Sequence, residues 1–170
     1  MLQQPLDGKQ YATILGGMVA PTSRGNVTIK SASMNDAPVI NPNWLTTKAD
    51  QEMAVALFRR MRQIWASETM QEVVIGDEYW PGLDKSSDEE ILEVVRDSLM
   101  TIWHAACTCK MGKEDDEMAV VDTKAKVYGV SGLRIVDASA MPILPPGHPS
   151  STICKFSSTH LYYSNDANKS

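Results

Sequence analysis

The chain has 170 residues, 43% hydrophobic and 22% charged, which is the balance of a globular domain or of a large piece of a bigger protein, not of a disordered or fibrous chain. Its formal charge of −5 argues against a broad basic surface for nucleic acid. No apolar run approaches the ~18 residues that a bilayer demands, so no membrane span is expected, and the opening MLQQPLDGKQ lacks the basic start and apolar run of a secretory leader.

The first elements read as strands. YATILGGMVA (11–20) is short and apolar, and NVTIKSA (26–32) sets Val27 and Ile29 against polar neighbours, the period of a half-buried strand. PTSRGN between them is a turn. NDAPVINPNWL (35–45) holds two prolines and three asparagines, so it reads as a surface loop that carries Trp44 inward.

Residues 48–66 predict a helix. Ala54, Leu57, Phe58, Met61, Ile64 and Trp65 recur at helical spacing, and Arg59, Arg60 and Arg62 read as its solvated face. GDEYWPGLDKSSDEE then breaks the pattern. Ser87 with Glu90 forms a capping box that opens a second helix, whose stripe Ile91, Leu92, Val95, Leu99, Ile102 and Trp103 carries it to about His104.

Beyond it the pattern changes. MAVVD, KVYGV and LRIVDAS predict short strands separated by turns at Gly129 and Gly132, with KEDDE (113–117) an exposed loop. From Phe156 the chain is polar, without helical period, and is expected to fray. There is no internal repeat, and no glycine-rich phosphate loop occurs; Gly16-Gly17 is a lone pair in an apolar stretch.

Three histidines occur, and two sit in unusual surroundings. His104 opens HAACTCKMG, and His148 lies in PPGHPSST. Small residues, glycine and proline let backbone approach a flat ligand and hold side chains rigidly. Histidine is the side chain suited to taking a proton near neutral pH, so two together could share a substrate hydroxyl. A lone histidine is more often a satisfied, partly buried imidazole. His104, Cys107, Cys109 and His148 could in principle bind zinc, but H-x-x-C-x-C is not a strong zinc spacing and no metal site is expected. Cys107 or Cys109 with His148 could make a thiolate pair, though nothing marks either thiol as activated. Asp137, closing a strand, suits a helix cap or a bond to a ligand hydroxyl.

HAACTCKMG followed by AVVDTKAKVYGVSGLRIVDASAMPILPPGHPSST resembles the C-terminal signature of the glucose-methanol-choline (GMC) oxidoreductases. PTSRGNVTIKSA and DAPVINPNWLTTKADQEMAVALFRRMR resemble the segment leading into that family's substrate domain. The resemblance covers about residues 11 to 152, and its style is closest to fungal secondary-metabolite members.

It implies an FAD enzyme that oxidises a small-molecule alcohol, with His104 as the base and His148 bonding the substrate oxygen, or the two roles exchanged. It implies that Asp137 and Ala138 approach the ribityl–phosphate region of the flavin, and that Pro149 and Ser150 touch its ring. Some family members keep a flavin yet catalyse a non-redox cyclisation, which is one alternative for this chain, a non-catalytic remnant being the other; family members are often secreted. The implied fold is α+β: a partial substrate domain over 11–103, an antiparallel sheet with flanking helices; C-terminal strands of the FAD domain over 104–152; and an irregular tail over 153–170. Members are roughly three times longer and begin with a Rossmann fingerprint, so the resemblance also implies an N-terminal FAD-binding half that is not in these residues.

Overall fold

A computed structural model describes residues 5–166, with side chains to residue 160. The chain divides into two compact units, Met1–Met100 and Thr101–Ser170.

In the first unit, β1 (Asn26–Thr28) and β2 (Val39–Asn41) form an antiparallel ribbon with Val27 opposite Ile40. The region expected to be a loop therefore supplies a strand. Pro38 and Pro42 bracket its three residues and bound the strand without removing a donor from its interior. Trp44 does not turn inward and is 48% exposed; Leu45, at φ 54, is the buried residue there. The strand expected over 11–20 does not form. A Cβ on Gly16 would lie 2.8 Å from Leu57 Cγ, so the missing side chain lets this segment lie against the helix that carries Leu57.

That helix is α1 (Lys48–Trp65), followed by the single turn α2 (Glu68–Gln71) and by α3 (Asp88–Ser98). Val55 and Phe58 of α1 meet Ile91 of α3 in a small core, flanked by Met61, Leu92, Val94 and Val95. Both arms of the Ser87–Glu90 capping box are present. However, α3 stops at Ser98, well short of His104, with Leu99 extended and Ile102 and Trp103 exposed. The apolar spacing continues past Ser98, but a helix is held mainly by what its stripe packs on, and these side chains pack on little. The arginines are not all solvated: Arg62 is half-buried and bound to Glu78, and Arg59 is bound to Asp88.

Asp50, three residues after the Thr47 cap, is buried in the first turn of α1. Its carboxylate accepts the Thr22 and Ser23 N–H groups, each at 2.7 Å, and the Thr22 hydroxyl at 2.9 Å. Hydrogen bonds from the Ser23 side chain and then the Thr22 N–H, helped by those from the Ser23 N–H and the Thr22 hydroxyl, outweigh burial and hold this carboxyl well below the usual carboxylate range. A depressed carboxyl stabilises the fold above its unfolded pKa of about 3.9, and that contribution is lost as pH falls below it. Asp50→Asn is therefore expected to lower the urea midpoint at pH 7 and to flatten its decline between about pH 5 and 3. Parallel titrations of both proteins check this, and equal slopes would refute it.

The second unit has no extended strands among its described residues. MAVVD, KVYGV and LRIVDAS are joined by single bridges, Val121 to Val127 and Lys126 to Arg134, and Met111 of the preceding segment bridges to Val121. Asp122 curls the chain by accepting the Lys124 and Lys126 N–H groups, and Gly129 and Gly132 take positive φ, so each pairing ends almost as it begins. Val121, Ala125, Ala140 and Met141 fill the centre. The acidic stretch is not simply exposed: Asp116 takes the Lys110 ammonium at 2.6 Å, which lowers its pKa.

The irregular tail is instead α4 (Ser150–Asp166); Ala167–Ser170 of the expected tail lie outside the described residues. Its packed side carries Ile153, Phe156, Ser157 and His160, at i, i+3, i+4 and i+7. The helical period is disguised because polar residues hold core positions. The Ser157 hydroxyl bonds the Val136 carbonyl, and the buried His160 ring lies 4.4 Å from the Phe156 ring. Burial, ahead of nearby Arg134, keeps the His160 pKa below its ordinary value. Among the described residues no helix is long and apolar enough to cross a membrane.

Candidate functional site

His104 follows α3 on an irregular segment that is fastened further along. The N–H groups of Cys107, Cys109 and Met111 donate in turn to the carbonyls of Ala138, Ser139 and Ala140 at 2.9–3.1 Å. These carbonyls belong to a 3-10 turn over Ala138–Ala140. Asp137 caps that turn by accepting the Ser139 N–H at 2.8 Å, so the cap role open in the sequence is filled. The Ala138 carbonyl is engaged by Cys107 and Met141.

His148 arrives from the other direction. Pro145 and Pro146 stiffen the approach, and Gly147, at φ 84, makes the turn that an L side chain resists. Pro149 is buried, and its carbonyl accepts the first helical N–H of α4, from Ile153 at 2.9 Å. His148 therefore stands just before the start of a 17-residue helix, with Ser150 its first residue.

The two histidines meet. Their ring centroids are 5.3 Å apart with the planes at 73°, an edge-to-face contact. His104 is half-buried and His148 exposed. Rings this close bring both imidazoles within reach of a single small polar group. Asp137 and Ala138 connect to His104 through the Cys107 bond, and Pro149 and Ser150 adjoin His148 along the chain.

The rival readings fare differently. Among the described residues no three His, Cys, Asp or Glu side chains gather where a metal ion could be held, so the His104–Cys107–Cys109–His148 set is not assembled. The backbones of Cys107 and Cys109 anchor the segment, and Cys154 lies exposed on α4.

One feature of the site escaped the sequence reading. The N–H groups of Ser150, Ser151 and Thr152 precede the first intrahelical bond and have no partner within the helix. They lie at the positive end of α4, beside His148. The signal was the P-S-S-T run, a helix start that the polar sequence after it obscured. This donor set fits the electron-rich edge of a flavin ring and any negative charge developing near it. It does not fit the pyrophosphate end of FAD, for which these residues offer no glycine-rich cradle.

A family model described as GMC oxidoreductase matches residues 21–156. Patulin synthase of Aspergillus clavatus is 54% identical over 149 residues, which is 88% of this chain and 24% of that protein. Versicolorin B synthase of Emericella nidulans is 48% identical over 147 residues, 86% of this chain and 23% of that protein. Among solved structures, an FAD-dependent oxidoreductase from Chaetomium thermophilum superposes with a TM-score of 0.80 at 32% identity, covering 89% of this chain and 26% of that one. The chain thus spans about a quarter of the length of the curated relatives it matches.

Proposed function

The chain belongs to the GMC oxidoreductase family, and from that membership we propose that it supplies the proton-handling part of an FAD-dependent alcohol oxidoreductase of fungal secondary metabolism. The observation that carries this reading is the edge-to-face contact of His104 and His148 at 5.3 Å. His104, the more enclosed ring, accepts the proton of the substrate hydroxyl at one ring nitrogen. His148 hydrogen-bonds the same oxygen and holds it in register; the two roles can also be exchanged. As the proton leaves, charge builds on that oxygen, and the two imidazoles stabilise it. Loaded FAD would supply the acceptor for the hydride leaving the carbinol carbon. Ser150–Thr152 at the start of α4 would hold the polar edge of its ring, and the Asp137–Ala138 turn would lie toward its ribityl chain.

This site needs more polypeptide than these residues. The chain exposes 13250 Å². A self-contained monomer of this mass would expose about 8,300 Å², and two separate domains of half the mass about 10,000 Å². The excess, about 3,000 Å² or more on this side alone, is larger than the one-partner half of most permanent interfaces, which bury about 2,000 to 5,000 Å² over both partners together. We assign it to an N-terminal half carrying the Rossmann-type pyrophosphate site.

The test is spectral. Dialysed against buffer after FAD addition, the 170 residues alone are expected to retain no absorbance at about 450 nm, the flavin's own band. Together with the N-terminal half of a GMC relative they are expected to retain it, and an alcohol to bleach it. Retention by the 170 residues alone would refute the split of the site. Retained flavin with product formed but no net oxidation would favour the cyclase chemistry of a versicolorin B synthase.

A further inference from the structure

We propose that His160 is a positioning residue for the active-site pair: its neutral ring seats α4, and protonating that ring unseats the helix and draws His148 away from His104. The inference rests on the two histidines being the proton-handling pair, and it adds a group that acts on them from a distance.

His148 is held through α4. Only Pro149 separates it from Ser150, the first helical residue, and the Pro149 carbonyl accepts the Ile153 N–H at 2.9 Å. Whatever tilts the helix therefore moves His148. The helix is fastened along its packed side by Ile153, by Phe156, by the Ser157 hydroxyl on the Val136 carbonyl at 3.3 Å, and by His160. His160 is the most enclosed of these at 6% exposure, and its ring centroid lies 4.4 Å from that of Phe156. Further polypeptide laid over the chain can only deepen that burial. Ser150 is about 15 Å back along the helix, so the ring does not touch the substrate pair and its effect travels through α4.

An imidazole suits such a site only while neutral. A leucine or a phenylalanine would fill it at every pH, whereas a charged ring loses its hydration there. The charged groups around it do not make good that loss. Arg134 opposes a second positive charge. Asp122 favours one, but its carboxylate already accepts the Lys124 and Lys126 N–H groups, and burial outweighs it. On α4 itself Lys155 is exposed. The ring therefore takes a proton more readily once the helix is unseated. Seating is complete above about pH 6.5, the ordinary histidine value. Below it each pH unit favours the unseated helix by up to about tenfold, until the buried ring itself titrates.

The experiment uses the FAD-loaded protein that contains this chain, as wild type, His160→Phe and His160→Leu. Mass spectrometry follows backbone hydrogen exchange over residues 150–160 from about pH 7.5 to about pH 5, corrected for the intrinsic effect of pH. In wild type the exchange of α4 is expected to rise by up to about tenfold per pH unit below about 6.5, and in both variants to stay level. The acid limb of flavin reduction by an alcohol is expected at lower pH in the variants than in wild type. Exchange at the ring C2 carbon titrates His160 directly in wild type, so the result stands even if a variant fails to fold. Its midpoint is expected below about 6.5. A midpoint at or above that value, equal pH dependence of α4 in wild type and the variants, or an acid limb that does not move overturns the proposal. Release of α4 that follows His160 in a protein that oxidises no alcohol upholds the seat and refutes the oxidoreductase reading instead.

Discussion

Replacing His104 with alanine is expected to slow flavin reduction by an alcohol about 10²-fold or more in the assembled enzyme, the usual cost of losing a positioned general base. Hydride leaves a carbinol carbon readily only as its oxygen becomes alkoxide-like. Without the His104 nitrogen the base positioned for that proton is gone, and it is left to His148, already committed to holding the oxygen, or to water, which is weakly basic. His148→Asn should cost less, about 10-fold, because an amide still bonds the oxygen but takes no proton. The asymmetry is the informative part. Rapid-mixing measurements of flavin bleaching give both rates, and circular dichroism shows whether the second unit still folds. Near-wild-type reduction in His104→Ala, with a severe loss in His148→Asn, would transfer the base role to His148. Equal, mild losses in both would refute proton handling by this pair.

Much of this site was legible because its chemistry sits in local sequence. PPGHP announces a rigid turn around a histidine, and Gly147 at positive φ makes that turn. Ser87 and Glu90 likewise announce the start of α3. What was not legible depends on partners distant in sequence. Leu99, Ile102 and Trp103 keep a helical spacing that no core receives, so α3 ends early. The expected strands of the second unit have good strand composition, but their turns leave room for only one bridge each. In α4, Ser157 and His160 occupy packed positions that a hydrophobic pattern does not credit. The contact of His104 with His148 joins residues 44 positions apart, and only the family resemblance foretold it.

Arg62→Ala is expected to destabilise the chain by about 2–4 kcal/mol, the cost of stripping a half-buried carboxylate of its counterion together with several hydrogen bonds. In sequence Arg62 reads as one of three arginines on a solvated helix face; the structure gives it a different job. Its guanidinium meets Glu78 in a two-pronged pair, Nε and Nη2 each at 2.8 Å from a carboxylate oxygen. The same fork donates to the Lys85 carbonyl at 2.7 Å and to the Gly82 carbonyl at 3.0 Å. It also lies 4.9 Å over the ring of Phe58, a core residue. One side chain therefore fixes the loop from Gly76 to Lys85 against α1, a loop with no strand or helix of its own. Lysine cannot reproduce a planar fork with four acceptors, so Arg62→Lys should lose most of the same stability. Arg59 is the internal control. Its bond to Asp88 is short at 2.6 Å, but the two side chains are 48% and 67% exposed, against 19% and 18% for Arg62 and Glu78. Solvent screens the outer pair, and Arg59→Ala should cost under about 1 kcal/mol. Urea midpoints of the three variants decide the matter. If Arg62→Ala falls no further than Arg59→Ala, the clamp is an ordinary surface pair and the loop is held by something else. If it falls further and Lys fails to rescue it, the geometry of the guanidinium, not its charge, is what orders this face of the first unit.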